Sequence, residues 1–415
     1  MIGEGTARLL RGRIKERLDL HEAVTDDELL GTVESVVFEW SDSNPLTASA
    51  KHQAVRRLFH SFRGLDMLQP LLDDPTVTEI MINGHEHIFV ERGGLIEKVD
   101  RAFESRERLE DLIQAVVGGV NRVVNESSPI VDARLSDGSR VHAVLPPVAL
   151  QGPILTIRKF PERPLSMEGL VDAGAVSMEA AGLLAGLVRA RYNILVGGGT
   201  GTGKTTFLNA LSSFIPPDER VVTIEDSAEL QIRNVPNLVS LETRNANTEG
   251  RGEVTVRDLI RASLRMRPDR IIVGEVRGGE AIDMLQAMNT GHDGSLTSAH
   301  ANGPKDMLAR LEMMVLSASE LPLSAIRGSI GSALDILVHL SRLRDGTRRV
   351  TDIAEVTGYR EGAVELNPLF RFEEEHGRDG KVGGRLVPTG NRLAHMRKWR
   401  LAGLGIEPAA EGESP

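Results

Sequence analysis

The chain has no cysteine, which excludes a disulfide scaffold, thiolate metal sites and a cysteine nucleophile together. Aromatic residues make up only 3% of its 415 positions, with two tryptophans and two tyrosines, too few for the stacking platforms that single-stranded nucleic acid uses. A basic excess is also missing. Lys and Arg number 49 against 59 Asp and Glu, for a formal net charge of -10, and this disfavours nucleic-acid binding as the main task. No stretch approaches the roughly 18 apolar residues of a membrane span. The opening residues carry an early acid, Glu4, and no apolar leader, so a cytosolic chain is expected. What remains is 40% hydrophobic and 26% charged, an ordinary globular balance, at a length that suits two or three domains.

Periodicity divides the chain into four. Residues 1–65 read as helices: Leu9, Leu10, Ile14 and Leu18 share a face, Thr25 and Glu28 form a capping box, and a third helix carries Val55, Leu58, Phe59 and Phe62 with Arg56, Arg57 and Arg63 around them. Residues 66–165 read as a small α+β domain, with strands near 78–82, 87–91, 95–99, 130–135, 140–145 and 154–160 and a helix from Ser105 to about Val124. Pro161, Pro164 and Ser166 then mark a linker. From 166 to 372 strands alternate with helices, which argues for a parallel α/β core. The pattern turns antiparallel after Leu334, with hairpin signals at Asp345-Gly346 and Glu361-Gly362. Residues 373–415, rich in Gly, Arg and Glu, are expected to be a loose tail.

The strongest chemical signal is the apolar run from Asn193 into Gly198, Gly199, Thr200, Gly201, Thr202, Gly203, Lys204, Thr205 and Thr206, followed by the helical stretch from Phe207. Strand, Gly-x-x-x-x-Gly-Lys-Thr and helix in that order make a P-loop. Glycines let successive backbone N–H groups turn inward around phosphates, and the helix N-terminus adds favourable partial charge. Lys204 is expected to reach the β- and γ-phosphates of ATP and Thr205 to ligate Mg²⁺.

Turnover needs a group at the end of a neighbouring strand to position or deprotonate water. The run from Arg270 to Glu275 supplies a buried strand ending in a carboxylate, with Gly274 where many such strands carry Asp. A second apolar strand ends in Glu225 and Asp226, at the carboxyl edge where open α/β sheets bind ligands. Asp226-x-x-Glu229 also reads as a capping box, and the two readings are compatible. His292 and His300 flank a further strand, with His292 fitting a turn and His300 the carboxyl edge. As a metal pair they lack a third ligand.

In this order and spacing, the P-loop, Thr223-Ile-Glu-Asp226, Ile271-Ile-Val-Gly-Glu-Val-Arg277 and Thr290-Gly-His-Asp-Gly-Ser295 resemble the Walker A, Asp box, Walker B and His box of the type II/type IV secretion and pilus ATPases. Leu241-Glu-Thr-Arg-Asn245, Arg265-Met-Arg-Pro-Asp269, Gly274-Glu-Val-Arg-Gly-Gly-Glu280 and Ser298-Ala-His-Ala-Asn302 look like the tight-adherence pilus (CpaF/TadA) branch. The resemblance covers roughly residues 66–370. It implies a RecA-like P-loop ATPase domain preceded by a smaller α+β (PAS-like) domain and a helical extension, assembled as a homohexamer. It further implies that arginines of the smaller domain, here Arg140 and Arg158, reach the phosphates. The tetracysteine zinc module of some relatives is absent. The implied function is an ATP-driven motor, peripheral at the inner face of the membrane, assembling a tight-adherence pilus. The alternatives are a conjugation-type (type IV) or general type II secretion ATPase, a RecA-like DNA translocase, and a scaffold that binds ATP without turnover. Such a motor requires a membrane-embedded platform partner. The helical N-terminus and the basic segment Arg392 to Arg400 are candidate docking surfaces, and no nucleic-acid partner is expected.

Overall fold

The computed structural model describes residues 4–18, 24–63, 65–120, 122–135, 137–160, 164–244, 246, 251–375 and 382–405. Pro161 and Asn245, and the side chain of Arg63, lie outside the described residues. The chain divides into two compact units, Met1–Glu162 and Arg163–Pro415.

The first unit begins with helices α1 (Glu4–Arg17), α2 (Asp26–Ser43) and α3 (Ala48–Arg63). Thr25 caps α2 in a complete box with Glu28, and Leu10, Ile14, Val33, Val37 and Leu58 close a small core of their own. Leu9 and Phe38, at apparent core spacing, are exposed instead. The bundle belongs to the same compact unit as the α+β domain rather than standing apart, and Arg8 and Arg11 of α1 both pair with Glu104 beyond it. A short helix, α4 (Gln69–Leu72), leads into β1 (Val77–Asn83), β2 (Ile88–Arg92), β3 (Leu95–Val99), α5 (Arg106–Gly118), β4 (Ile130–Arg134), β5 (Arg140–Val144) and β6 (Ile154–Arg158). The six strands form one antiparallel sheet in the order β3-β2-β1-β6-β5-β4. Alternating Val77, Ile80, Ile82, Ile88 and Val90 face a core completed by Leu109 and Ile113 of α5, as period-two and period-3.6 apolar spacing require.

The second unit runs α6 (Met167–Asp172), α7 (Met178–Arg189), β7 (Ile194–Gly198), α8 (Lys204–Ser212), β8 (Arg220–Glu225), β9 (Asn237–Glu242), α9 (Val256–Ser263), β10 (Arg270–Val276), α10 (Glu280–Asn289), β11 (Leu296–Ala299), α11 (Pro304–Ala318), α12 (Leu323–Ala333), β12 (Ile336–Arg342), β13 (Arg348–Arg360), β14 (Ala363–Glu375), β15 (Gly383–Pro388) and α13 (Arg397–Leu401). Nine strands form one sheet in the order β15-β14-β13-β12-β7-β11-β10-β8-β9. From β12 to β9 the pairing is parallel, and from β12 to β15 it is antiparallel. Central strands buried on both faces read as continuous apolar runs. Separate apolar clusters cover the two faces, one around α7 and α8 and the other around α10, α11 and α12.

Of the segment 373–415 expected to be a loose tail, residues 373–375 and 382–405 are built into this unit, and the rest lies outside the described residues. β15 pairs with β14 from Phe370↔Pro388 to Glu375↔Gly383, and the chain beyond it straps across the amino edge of the sheet. There Tyr192 Oη donates to His395 O at 2.6 Å. Lys398 Nζ lies 2.7 Å from both Asp293 and Asp335. Buried Glu355 accepts from the Ala394 and His395 amides at 2.8 and 2.7 Å. Trp399, 5% exposed, seats its ring on Gly186, where a Cβ would lie 2.2 Å from the indole. Apolar Leu393 and Trp399 carry that packing, and the sparse spacing hid it.

Candidate functional site

β7 is buried along its whole length and delivers the chain at Gly198 to the carboxyl edge of the sheet. The loop then turns through Gly201 (φ +71°) and Gly203 (φ +92°), the residue that caps α8, and only glycine adopts such left-handed values at little cost. Thr202 Oγ1 donates to Gly199 O at 3.0 Å. Lys204 is buried, its ammonium donating to Gly198 O and Gly199 O at 3.1 and 3.0 Å. Burial pulls its pKa below the ordinary lysine value, against the raising influence of Glu275. Thr205 follows in the first turn of α8, half-buried.

Across the edge, Glu275 is the penultimate residue of β10. Its Oε2 accepts from Arg277 at 2.8 Å, and Arg277 also lies 3.6 Å from Asp226. Oε1 stands 2.8 Å from His300 Nε2 without the alignment a hydrogen bond needs. Among the described residues it is a buried oxygen that receives no hydrogen bond. Burial holds His300 below its ordinary pKa, with Glu275 opposing and Lys204 and Arg277 assisting. Lys204, Glu275, Arg277, Asp226 and His300 therefore share one electrostatic neighbourhood.

Glu225, 5% exposed, is pushed up to about 7 by burial, although the Glu229 and Leu230 amides donate to it and pull the other way. Its side chain explains the glycine in β10: a Cβ on Gly274 would lie 2.8 Å from Glu225 Cγ. The carboxylate of one strand thus occupies the space beside the next strand where a side chain of residue 274 would sit. The capping-box expectation at Asp226 and Glu229 is not met, because no helix follows. Glu225 binds those amides instead.

His292 is not part of this cluster. It precedes β11, whose first residue Leu296 pairs with Ile194 at the start of β7, so it lies at the amino edge. There its Nδ1 is 3.1 Å from Ala287 O at the end of α10. The strand direction separates the two histidines that the sequence places eight positions apart. Arg140 and Arg158 belong to the first unit. They are directly paired across β5 and β6, with Arg134 opposite Arg140 on β4, so the sheet makes a row of three arginines of which the sequence marked two. A further residue escaped the sequence altogether: Arg348, at the start of β13, donates from Nε to Gly201 O at 2.7 Å.

A P-loop at the carboxyl edge of a β7-centred parallel sheet, with a strand-end carboxylate beside it, defines a nucleotide-binding α/β domain of RecA-like type. Residues 62–367 match the family model described as "Type II/IV secretion system protein". The chain belongs to that family of secretion ATPases. It is 40% identical over 325 residues to a putative conjugal transfer protein of Mycobacterium tuberculosis, covering 77% of this chain and 92% of that protein. It is 34% identical over 324 residues to the type IV secretion system protein VirB11 of Brucella suis, covering 71% and 90%. The solved pilus retraction motor PilT with bound ADP shares the fold, at a TM-score of 0.53 and 18% identity over 72% of this chain and 83% of that one. These two sequence relatives carry conjugal-transfer and type IV secretion names. What is established is the family, not the branch that the local motifs suggested.

Among the described residues no helix is long and apolar enough to cross a membrane.

Proposed function

We propose that this chain is the ATP-hydrolysing motor of a conjugation-type (type IV) secretion machinery, working as a homohexameric ring at the cytoplasmic face of the membrane with membrane-embedded platform partners. The observation that carries the hydrolytic part is the convergence of Lys204, Glu275 and His300 on one sheet edge beside the P-loop. The choice of machinery rests on relatives with conjugal-transfer and VirB11 names that this chain matches over about nine-tenths of their length.

In this reading the amides of residues 198–206 cradle the phosphates, and Lys204 exchanges its two loop carbonyls for β- and γ-phosphate oxygens. Glu275, with one oxygen held by Arg277 and the other unsatisfied, orients the attacking water and takes its proton. The leaving ADP carries away the bonding electrons as the γ-phosphorus–oxygen bond breaks. His300 stands beside Oε1 of Glu275, while Glu225 and Asp226 set the charge of the edge. The family resemblance assigns Arg140 and Arg158 the role of supplying positive charge to the γ-phosphate. Mg²⁺ fits the residues present, since the Thr205 hydroxyl stands next to Lys204 and a buried carboxylate oxygen lacks a donor. Thr205 would hold it, and when bound it neutralises charge on the phosphates.

Nucleotide affinity and steady-state phosphate release test the assignment. Lys204→Ala should weaken both, whereas Glu275→Gln should bind ATP and turn over slowly. Normal turnover in Glu275→Gln refutes its role. A fragment from Ser166 onward should be a poor ATPase, and full activity there removes Arg140 and Arg158 from the site. A tight-adherence pilus motor is the second reading, favoured by the stretch Arg265-Met-Arg-Pro. Loss of DNA or protein transfer with intact piliation in a Lys204→Ala strain separates the two.

A further inference from the structure

The β12–β13 hairpin stands beside the phosphate loop. Leu340 of β12 pairs with Gly198 of β7, so the strand continues past the carboxyl edge, turns at Asp345-Gly346, and returns at Arg348 opposite Arg342. Arg348 lies against the outside of the P-loop. Its Nε donates to Gly201 O at 2.7 Å, and its Cδ is 3.5 Å from where a Cβ on Gly203 would be.

We infer that Arg348 is a positioning residue of the nucleotide site, holding the Gly201 carbonyl outward so that the loop's amides stay converged on the phosphate position. The inference rests on the P-loop reading above. The loop's grip depends on every peptide between Gly198 and Lys204 showing its N–H to the phosphates and its C=O away from them. Glycine makes that arrangement possible and leaves it weakly defended, because a peptide flanked by Gly201 rotates with little steric opposition. Rotation of that unit would bring a carbonyl oxygen toward the phosphates and repel them. A hydrogen bond from a guanidinium is among the stronger ones available, and this one engages the carbonyl whose rotation matters, before any nucleotide arrives.

The arginine is itself held. Thr347 N and Oγ1 both donate to Asp345 Oδ1, which fixes the turn. Asp345 Oδ2 accepts from the Val382 amide at 2.8 Å, and Arg349 donates to Gly384 O and Val382 O at 2.9 and 3.2 Å. The backbone that presents Arg348 is therefore anchored to the residues leading into β15. Preorganisation of this kind raises affinity by lowering the ordering cost of binding.

The test compares Arg348→Ala, Arg348→Gln and Arg348→Lys in the full chain, using a fluorescent ADP and a non-hydrolysable ATP analogue with Mg²⁺, beside wild type and Lys204→Ala. Wild-type binding that Lys204→Ala abolishes establishes the site independently of Arg348. Arg348→Ala should then weaken both nucleotides by the same factor, about tenfold for loss of one charge-assisted hydrogen bond. Its kcat at saturating ATP should stay within about twofold, since the closed loop is the same once filled. The conservative variants separate hydrogen bond from charge. Gln carries its amide nitrogen as many bonds from Cα as Arg carries Nε, so Arg348→Gln should retain most affinity while Arg348→Lys retains less. Unchanged affinity in Arg348→Ala overturns the inference. So does weakening confined to the ATP analogue, or Lys rescuing where Gln does not, either of which makes Arg348 a direct phosphate ligand. Thermal unfolding without nucleotide checks that the variants are folded. If the alanine variant is not, the Gln-to-Lys order decides.

Discussion

A Glu225→Gln substitution should change how the stability of the nucleotide-binding unit depends on pH. Glu225 ordinarily titrates near 4.5 and here near 7, because burial penalises its charged form more than the Glu229 and Leu230 amides favour it. A carboxyl whose pKa rises on folding lends stability that is complete below its unfolded value and is lost as pH rises through the folded one. Between pH 5 and pH 8 that loss is about 2–3 kcal/mol for a group with these two values. Gln keeps a carbonyl oxygen for the two amides and never ionises, so the variant should lack this slope and gain on the wild type as pH rises. Urea unfolding at several pH values measures it. The two tryptophans fall in separate units, Trp40 in α2 and Trp399 in α13, so a Trp40→Phe background makes fluorescence report the second unit alone. Parallel stability curves for the two proteins across pH 5–8 would refute the reasoning and place the Glu225 titration near its ordinary value.

Three further outcomes are expected. Gly274→Ala puts a Cβ 2.8 Å from Glu225 Cγ and should destabilise by about 1–3 kcal/mol. Combined with Glu225→Ala the added cost should vanish, and a double-mutant cycle that comes out additive contradicts the shared space. Trp399→Ala should cost the second unit about 3–5 kcal/mol by emptying the seat over Gly186; a thermal midpoint unchanged by calorimetry would mean the strap adds no packing. His300 should titrate below its ordinary 6.5 by imidazole NMR, and lower still in Glu275→Gln, because that carboxylate opposes the shift. An upward move in the variant reverses the assigned electrostatics.

Local signals proved legible where one strand and its next loop carry the whole message. The β7–loop–α8 unit, the strand ending at Glu275 and the hairpins at Asp345-Gly346 and Glu361-Gly362 were readable from apolar runs and glycines. The helix expected to reach Val124 stops at Gly118 with Gly119 as its cap, because the glycine pair ends it although apolar Val120, Val123 and Val124 carry the pattern on. Features that depend on chain direction or distant pairing were hidden. His292 and His300 look alike in sequence, yet β11 carries them to opposite edges. Gly274 reads as a missing carboxylate until Glu225 from the adjacent strand is seen to fill its space. Arg348 meets Gly201 only because β12 lies next to β7. The strap rests on a few contacts, such as Glu355 with Ala394 and His395, that no periodicity announces.

The strap also imposes an order on synthesis. α7, with Gly186 in its middle, leaves the ribosome long before Trp399, and chains fold as they emerge. The parallel strands up to β12 can pair while translation continues, but the notch over Gly186 and the hydroxyl of Tyr192 stay uncovered until residues 389–405 arrive. A nascent ATPase unit therefore shows an open apolar seat at its amino edge during the interval in which β13, β14 and β15 are still being made. The same interval keeps the anchor of Arg348 incomplete, because Val382 has not yet reached Asp345. Closure of the amino edge over Gly186 and anchoring of the turn that presents Arg348 therefore both wait for residues 382–405, made well after the parallel strands they complete.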